Sequence, residues 1–336
     1  MTKQQDIIGR VTSTLPFKLA ADVGASTSYQ VPWILPGLIA KGAIVELSGY
    51  AKDGKTTFLL DQCYAITTGR SILGSPPESI GPVVYLTEEN DTSFARGLSE
   101  RGLAESDKFI LLQLNDRDVS TKSWPEIIDG VVTTAMEVDA VFLVVDHISA
   151  WTRLEAEQEN DAASVLKALK PLSKLAQGGV AVEYARHDRK SGGRTGKSGR
   201  GSSAFSGFAD DLLHLEDPHN SSFPNDRVLS GHGRNISRWN DMTIRLTDEG
   251  FSKVSDGKLR NRDNLIEQII PVLPRLDDTP ILTSQIANAL SVTNDNTLKR
   301  ALEEMVDKGS ATLFPDLGSN GRANGYTKAT YVDPSP

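Results

Sequence analysis

The sequence predicts an α/β protein with a doubly wound, mainly parallel sheet, followed by a small C-terminal helical unit. Three observations predict it. Short runs rich in Val, Ile and Leu recur at "AIVEL" (43–47), "PVVYL" (82–86), "AVFLVV" (140–145) and "GVAVEY" (179–184). Runs like these suit strands buried on both faces, and such strands are usually parallel. Helical patterns alternate with them, over about 56–68 and about 161–177, which is the rhythm of a βαβ fold. Beyond the polar stretch "SDGKLRNRDN" (255–264) the pattern changes to three short amphipathic helices and a hairpin.

Taken in order, residues 1–30 are polar and aperiodic and form an N-terminal arm or linker. The segment "VPWILPGLIAKG" introduces the first strand of a core spanning 31–255. In the 161–177 helix Val165, Leu169, Leu172 and Ala176 fall at helical spacing, and Pro171 predicts a kink. "DDLLHLE" (210–216), "RVLSGHG" (227–233) and "MTIRLTDEGFSKV" (242–254) read as an antiparallel extension. In the last unit, 262–333, the first helix carries Leu265, Ile266, Ile269, Ile270 and Leu273, and the second opens on Thr283 as N-cap. The third carries Leu298, Ala301, Leu302, Met305 and Val306 and stops at Gly309. "ATLFPDLGSNGRANGYTKATYV" follows as two strands around a glycine-rich turn, so the expected unit is a small winged-helix domain. No internal repeat is present.

The 336 residues suffice for two domains, and the net charge is -8, so any nucleic-acid contact must come from a local basic patch. No apolar run approaches a membrane span, and "MTKQQDIIGR" lacks an apolar signal core. Cys63 is the single cysteine, which leaves no internal disulfide or thiolate cluster and favours a reducing cytoplasm. Cys63 is expected to pack the helix it sits on rather than to react.

The stretch "GYAKDGKTTF" (49–58) fits G-x-x-x-x-G-K-[ST] through Gly49, Gly54, Lys55 and Thr56. It could be a flexible turn, but a buried strand precedes it and a helical pattern follows, the setting of a phosphate cradle. Tyr50, Ala51, Lys52, Asp53 and Thr57 complete the loop, whose backbone N–H groups and helix N-terminus would face phosphate oxygens. Lys55 would reach the β- and γ-phosphates, and Thr56 would hold Mg²⁺, so ATP and Mg²⁺ are the expected cofactors. Asp146 ends "AVFLVVD" as the second metal-side carboxylate. His147 follows it where many P-loop ATPases carry the water-polarising Glu, so that carboxylate must come from elsewhere. "PVVYLTEEN" offers Glu88 and Glu89, of which Glu89 is the preferred choice, against the alternative of a solvated acidic turn. From Arg186 to Arg200 six basic residues, among them Arg189, Lys190, Arg194 and Lys197, stand against one acid, Asp188, with four glycines interspersed and a fifth, Gly201, directly after. A glycine-rich basic loop suits a phosphodiester backbone, and the alternative is a merely solvated loop.

These segments, in order, resemble the RecA-like ATPases of the RepA type, an AAA-domain family of plasmids and phages related to hexameric replicative helicases. The likeness covers about residues 31–255 and rests on "WILPGLIAKG", "GYAKDGKTT", "GPVVYLTEEN", "LVVDHISAW", "HDRK" and "GRGSSAFSGFADD". It implies a RecA-like core, Mg-ATP hydrolysis and ring or filament assembly. Glu89 falls at the family's catalytic glutamate and His187 at a polar sensor of the γ-phosphate. Arg200 falls where an arginine reaches a neighbouring subunit's nucleotide, and Arg234 in "HGRN" at another arginine-finger position. The chain departs from the family at Arg186, where relatives often have a first histidine, and at His232, where they carry lysine. The expectation is a helicase or translocase on single-stranded DNA, a homo-oligomer forming a hexameric ring. The competing expectation is an ATP-switched DNA-binding or regulatory module without unwinding activity. The third C-terminal helix exposes a balanced set, Lys299, Arg300, Glu303, Glu304, Asp307 and Lys308, so that unit could meet a protein partner as well as DNA, for which Arg322 and Lys328 remain available.

Overall fold

The computed structural model describes residues 17–26, 30–188, 202–218, 224–236, 241–256, 261–290, 295–317 and 324–329. A first helix, α1 (Ala20–Ser26), lies inside the segment expected to be an aperiodic arm. A short antiparallel pair follows, β1 (Trp33–Leu35) and β2 (Ile39–Ala40). Then come β3 (Ile44–Gly49), α2 (Lys55–Thr68), β4 (Val83–Thr87), α3 (Asp91–Glu100) and β5 (Phe109–Gln113). The chain continues through α4 (Arg117–Ser120), α5 (Trp124–Glu137), β6 (Phe142–Asp146), α6 (Ile148–Thr152), α7 (Ala156–Asn160), α8 (Ala162–Leu169), α9 (Leu172–Gln177) and β7 (Ala181–His187). The helix expected over 161–177 is thus broken at Lys170–Pro171 into two rather than kinked, because proline supplies no N–H and its ring blocks the preceding turn.

After α10 (Ala204–Phe208) come β8 (Asp211–Glu216), β9 (Asp226–Gly233), β10 (Met242–Thr247) and β11 (Gly250–Asp256). Nine strands form one sheet in the order β11-β10-β9-β8-β3-β7-β6-β4-β5. All neighbours from β8 to β5 are parallel, and β9, β10 and β11 extend the sheet antiparallel. The expectation for 210–216 is corrected here: β8 lies parallel to β3, and the antiparallel extension begins one strand later.

Alternation along the strands divides the core between two faces. Val45, Leu47, Val83, Tyr85, Phe142 and Val144 face α2, with Phe58, Leu59 and Ile66 packed on them. Val84, Leu86, Leu143, Val145, Val182 and Tyr184 face α5, α8 and α9. Burial of each such side chain stabilises the fold by about 1.5–3 kcal/mol. Cys63 is wholly buried, and burial pushes its thiol up, so it packs and stays a thiol.

Downstream lie α11 (Asn261–Val272), β12 (Ile281–Leu282), α12 (Thr283–Ala289), α13 (Asp295–Asp307), β13 (Ala311–Phe314) and β14 (Gly325–Lys328). The strands form a separate antiparallel sheet, β12-β14-β13, and Leu265, Ile269, Leu273, Leu298, Leu302, Met305 and Tyr326 form a separate apolar cluster. Ile270, expected on the apolar stripe, is exposed. Thr283 is the first helical residue rather than the cap. The Leu282 N–H is taken up by the Gln285 side chain, which reaches back over the first turn.

Candidate phosphate-binding site

The parallel register brings distant segments to one edge. Gly49 pairs with His187, and Thr87 pairs with Asp146, so the loops leaving β3, β4, β6 and β7 open on the same side. Open α/β sheets bind ligands at these carboxyl ends.

The loop after β3 is shaped by its own residues. A Cβ on Gly49 would lie 2.3 Å from the Leu215 carbonyl oxygen, so no larger residue fits. Gly54 has φ +98°, a left-handed value that turns the chain into α2. The buried Asp53 carboxylate accepts the Tyr50 N–H at 2.9 Å, and Arg227 on β9 donates to the Asp53 carbonyl at 2.6 Å. Lys55 is buried, its amine donating to the carbonyls of Gly49 (2.9 Å) and Tyr50 (2.7 Å) and to His187 Nδ1 (3.2 Å). Burial lowers the Lys55 pKa, opposed by the charges of Asp146, Asp53 and Asp188. Ala51 and Lys52 are exposed on the rim, while Thr57 lines the cleft.

Thr56 Oγ1 donates to Asp146 Oδ2 at 2.7 Å, and the Tyr85 hydroxyl donates to the same oxygen at 2.9 Å. Burial raises the Asp146 pKa, while these two bonds pull it down. Glu88 and Glu89 both reach the cleft but are held differently. Glu88 Oε1 lies 2.9 Å from His147 Nε2, and that hydrogen bond lowers its pKa. Glu89 Oε2 accepts the Ser93 hydroxyl at 2.7 Å, on the side facing α3. The His147 and His187 rings meet edge to face, centroids 4.5 Å apart. The resulting cleft has a volume of about 350 Å³ and is lined by Lys52, Gly54, Lys55, Thr56, Thr57, Glu88, Glu89, Asp146, His147 and His187.

These residues fit a nucleotide's phosphates with Mg²⁺. A hydroxyl and a carboxylate stand together beside a buried lysine at a helix N-terminus. Among the described residues no cluster of three or more His, Cys, Asp or Glu could cage a metal. Mg²⁺ is usually held by one or two protein groups, with substrate phosphates and waters completing its shell. Thr56 and Asp146 would hold the ion, which when bound would neutralise charge on the β- and γ-oxygens.

Sequence reasoning missed what fastens the edge. Gln113 Nε2 donates to the Glu89 carbonyl at 3.4 Å and Asn115 Nδ2 to the Glu88 carbonyl at 3.1 Å, tying the "TEEN" turn to the end of β5. Arg186, counted with the basic loop, does not belong to it. It is 2 % exposed, pairs with the buried Glu46 carboxylate at 3.1 Å, donates to the Ser202 carbonyl and lies over the Phe205 ring. A side chain so enclosed has no reach to a phosphodiester. Arg234 stands away from the cleft, largely exposed and paired with Asp210 at the start of β8. Its turn is stapled by Asp211, which accepts N–H groups from Asn235 and Ile236. Arg189, Lys190, Arg194, Lys197 and Arg200 lie outside the described residues, as does Arg322.

A P-loop whose strand is separated from the Asp146 strand by one parallel strand, with polar residues of four strand ends around it, defines a RecA-like P-loop ATPase. The AAA domain family matches residues 12–193, more than half of the chain, and the chain belongs to that family. No curated protein matches the sequence. Among solved structures, a KaiC-like protein from the hyperthermophilic archaeon Pyrococcus horikoshii aligns at 18% identity with a TM-score of 0.49, over 68% of this chain and 100% of that one. No helix among the described residues is long and apolar enough to cross a membrane.

Proposed function

We propose that the chain is a Mg-ATP-hydrolysing motor acting on single-stranded DNA, a RepA-like helicase or translocase working as a hexameric ring. The observation that carries the ATPase chemistry is the direct Thr56–Asp146 bond beside the buried Lys55 amine, with the carboxylates of Glu88 and Glu89 across the same cleft. In this reading Lys55 stabilises charge at the β/γ-phosphates, and His187 senses the γ-phosphate beside it. A carboxylate of the Glu88–Glu89 pair orients the attacking water. Glu89 is the choice by resemblance, whereas Glu88 is the one that His147 holds within the cleft.

Assembly is proposed from the position of Arg234. It bonds Asp210, whose carboxylate accepts the N–H of Ile44 at the start of β3, while the P-loop leaves β3 at Gly49. Five residues at about 3.3 Å each put roughly 17 Å between them. That supports a role toward a neighbour's nucleotide rather than the chain's own, with head-to-tail contacts closing a ring. Arg200 is the second candidate for that role. Arg189, Lys190, Arg194 and Lys197 are proposed to track the DNA backbone. Residues 262–333 are proposed to be a winged-helix domain.

The second reading, an ATP-switched regulatory module without unwinding activity, is favoured by the lack of a basic surplus on α13, which carries Lys299 and Arg300 against Asp295, Glu303, Glu304 and Asp307, with Lys308 just beyond it paired to Glu304 at 2.7 Å. ATPase rate with and without single-stranded DNA, a strand-displacement assay, and sizing with a non-hydrolysable ATP analogue test both. DNA-stimulated turnover with displacement supports the motor. ATP-dependent DNA binding without displacement supports the module. A strictly monomeric ATPase removes both arginine-finger assignments.

A further inference from the structure

His147 occupies the position after Asp146, and the hydrogen bonds around it define a task beyond capping. Its Nδ1 accepts the Ala150 N–H at 3.4 Å, so the ring is the N-cap of α6. In the neutral ring a nitrogen that accepts leaves the other one as donor. That fixes the proton on Nε2, which donates to Glu88 Oε1 at 2.9 Å. The same ring meets the His187 ring edge to face, centroids 4.5 Å apart at 70°, and His187 Nδ1 accepts from Lys55 Nζ. One imidazole, held by a helix terminus, thus links a cleft carboxylate to the histidine that touches the P-loop lysine.

We propose that His147 is a positioning residue for phosphoryl transfer, orienting the Glu88 carboxylate and the His187 ring as one unit. The proposal rests on the ATPase reading above. A carboxylate on a flexible glutamate side chain samples several rotamers, and only a fixed donor confines it to the one that faces the reacting centre. Misplacement by about 1 Å costs on the order of 10²-fold in rate. The work that many P-loop ATPases assign to a glutamate after the strand-terminal aspartate is here divided between a histidine just after β6 and a glutamate just after β4.

Two substitutions separate positioning from capping. Asparagine caps a helix as well as any residue, and its amide group overlays Nδ1 with nothing at Nε2. Glutamine reaches Nε2 with a donor. His147→Asn is expected to melt within a few degrees of wild type and bind Mg-ATP within about twofold, while kcat falls by about tenfold or more. His147→Gln should recover at least half of the lost rate on a logarithmic scale. Glu88→Gln should lose kcat similarly, and the Glu88→Gln/His147→Asn double variant should be no slower than the slower single, as for residues acting as a unit. Wild-type kcat in His147→Asn, or losses that multiply in the double variant, would overturn the proposal while leaving the ATPase reading intact. If wild type turns over ATP no faster than Lys55→Ala, the reaction itself is absent and the proposal goes with it.

Discussion

The P-loop edge of the large sheet and the C-terminal unit are built on opposite principles. At the edge, Lys55, Asp53, Asp146 and Thr87 are all more than nine-tenths buried, and their polar groups are taken up by named partners across four strand ends. The C-terminal unit is held by Leu265, Ile269, Leu298, Leu302 and Met305, apolar side chains that carry no chemistry, under a surface of mixed charge. Polar burial is costly unless every group is satisfied, so a fold concentrates it where it has a use. The difference teaches where substitutions change rate and where they change only stability.

The largest expected effect breaks the first region. Lys55→Ala removes the buried amine at the phosphates. It should weaken Mg-ATP binding and lower turnover at least about 10³-fold, with the melting temperature nearly unchanged. Steady-state ATPase and nucleotide titration check this. Glu88→Gln and Glu89→Gln should both bind Mg-ATP, and whichever loses turnover by the larger factor is the water-orienting carboxylate.

Leu302→Ala is the counterpart in the second region. It empties a fully buried site and should destabilise the C-terminal unit by about 2–4 kcal/mol. Basal ATPase measured below the melting transition should stay within about twofold. A parallel collapse of ATPase would show that the unit takes part in the site.

How much of this contrast was legible follows from sequence distance. The P-loop spans eight contiguous positions, and Asp146 ends an apolar run, so short-range patterns suffice for both. The apolar stripes of α11 and α13 were legible for the same reason, since 3.6-residue periodicity is local. What stayed hidden joins residues far apart: Glu46 with Arg186, Asp53 with Arg227, and Asn115 with Glu88. Arg186 was misassigned because a run of basic residues carries no sign of which one points inward. Strand β5 escaped because "FILLQ" is a short run, half-buried at the edge of the sheet.

Glu183 offers a smaller effect that sharpens the rule about polar burial. It lies on β7, wholly buried, with Gln62 beside it but no well-formed hydrogen bond to either carboxyl oxygen. Burial pushes its pKa from the ordinary 4.5 up to about 8, with the nearby Asp146 charge adding to the rise. The folded state therefore keeps a proton that the unfolded chain loses, and stability falls as pH rises from about 4.5 to about 8. Glu183→Gln should remove that slope. It should raise stability at pH 8 by roughly 1–3 kcal/mol, less than the full linkage value because local relaxation lets water in. Urea melts across pH 5–8 check it, and an unchanged slope would mean that Glu183 has a cation or water partner.

The smallest effect concerns the proposed DNA contact. Arg186 belongs to the core, so the proposed contact rests on Arg189, Lys190, Arg194, Lys197 and Arg200. Each cation that neutralises a phosphate releases counterions, and log affinity falls with log salt in proportion to their number. Replacing Arg194 and Lys197 with alanine should weaken binding to every sequence alike and flatten the salt slope by about one to two units. Basal ATPase should persist, because Lys55, Thr56 and Asp146 are left in place, while stimulation by DNA should drop. Arg186→Ala should behave differently, since it strands the buried Glu46 carboxylate and lowers stability by about 3–5 kcal/mol before it touches DNA affinity. Fluorescence anisotropy with labelled single strands across a salt series, beside thermal melts, distinguishes the two. An unchanged slope in the Arg194 and Lys197 variant would move the DNA contact to the C-terminal unit, where Lys299 and Arg300 on the exposed face of α13 become the next pair to replace.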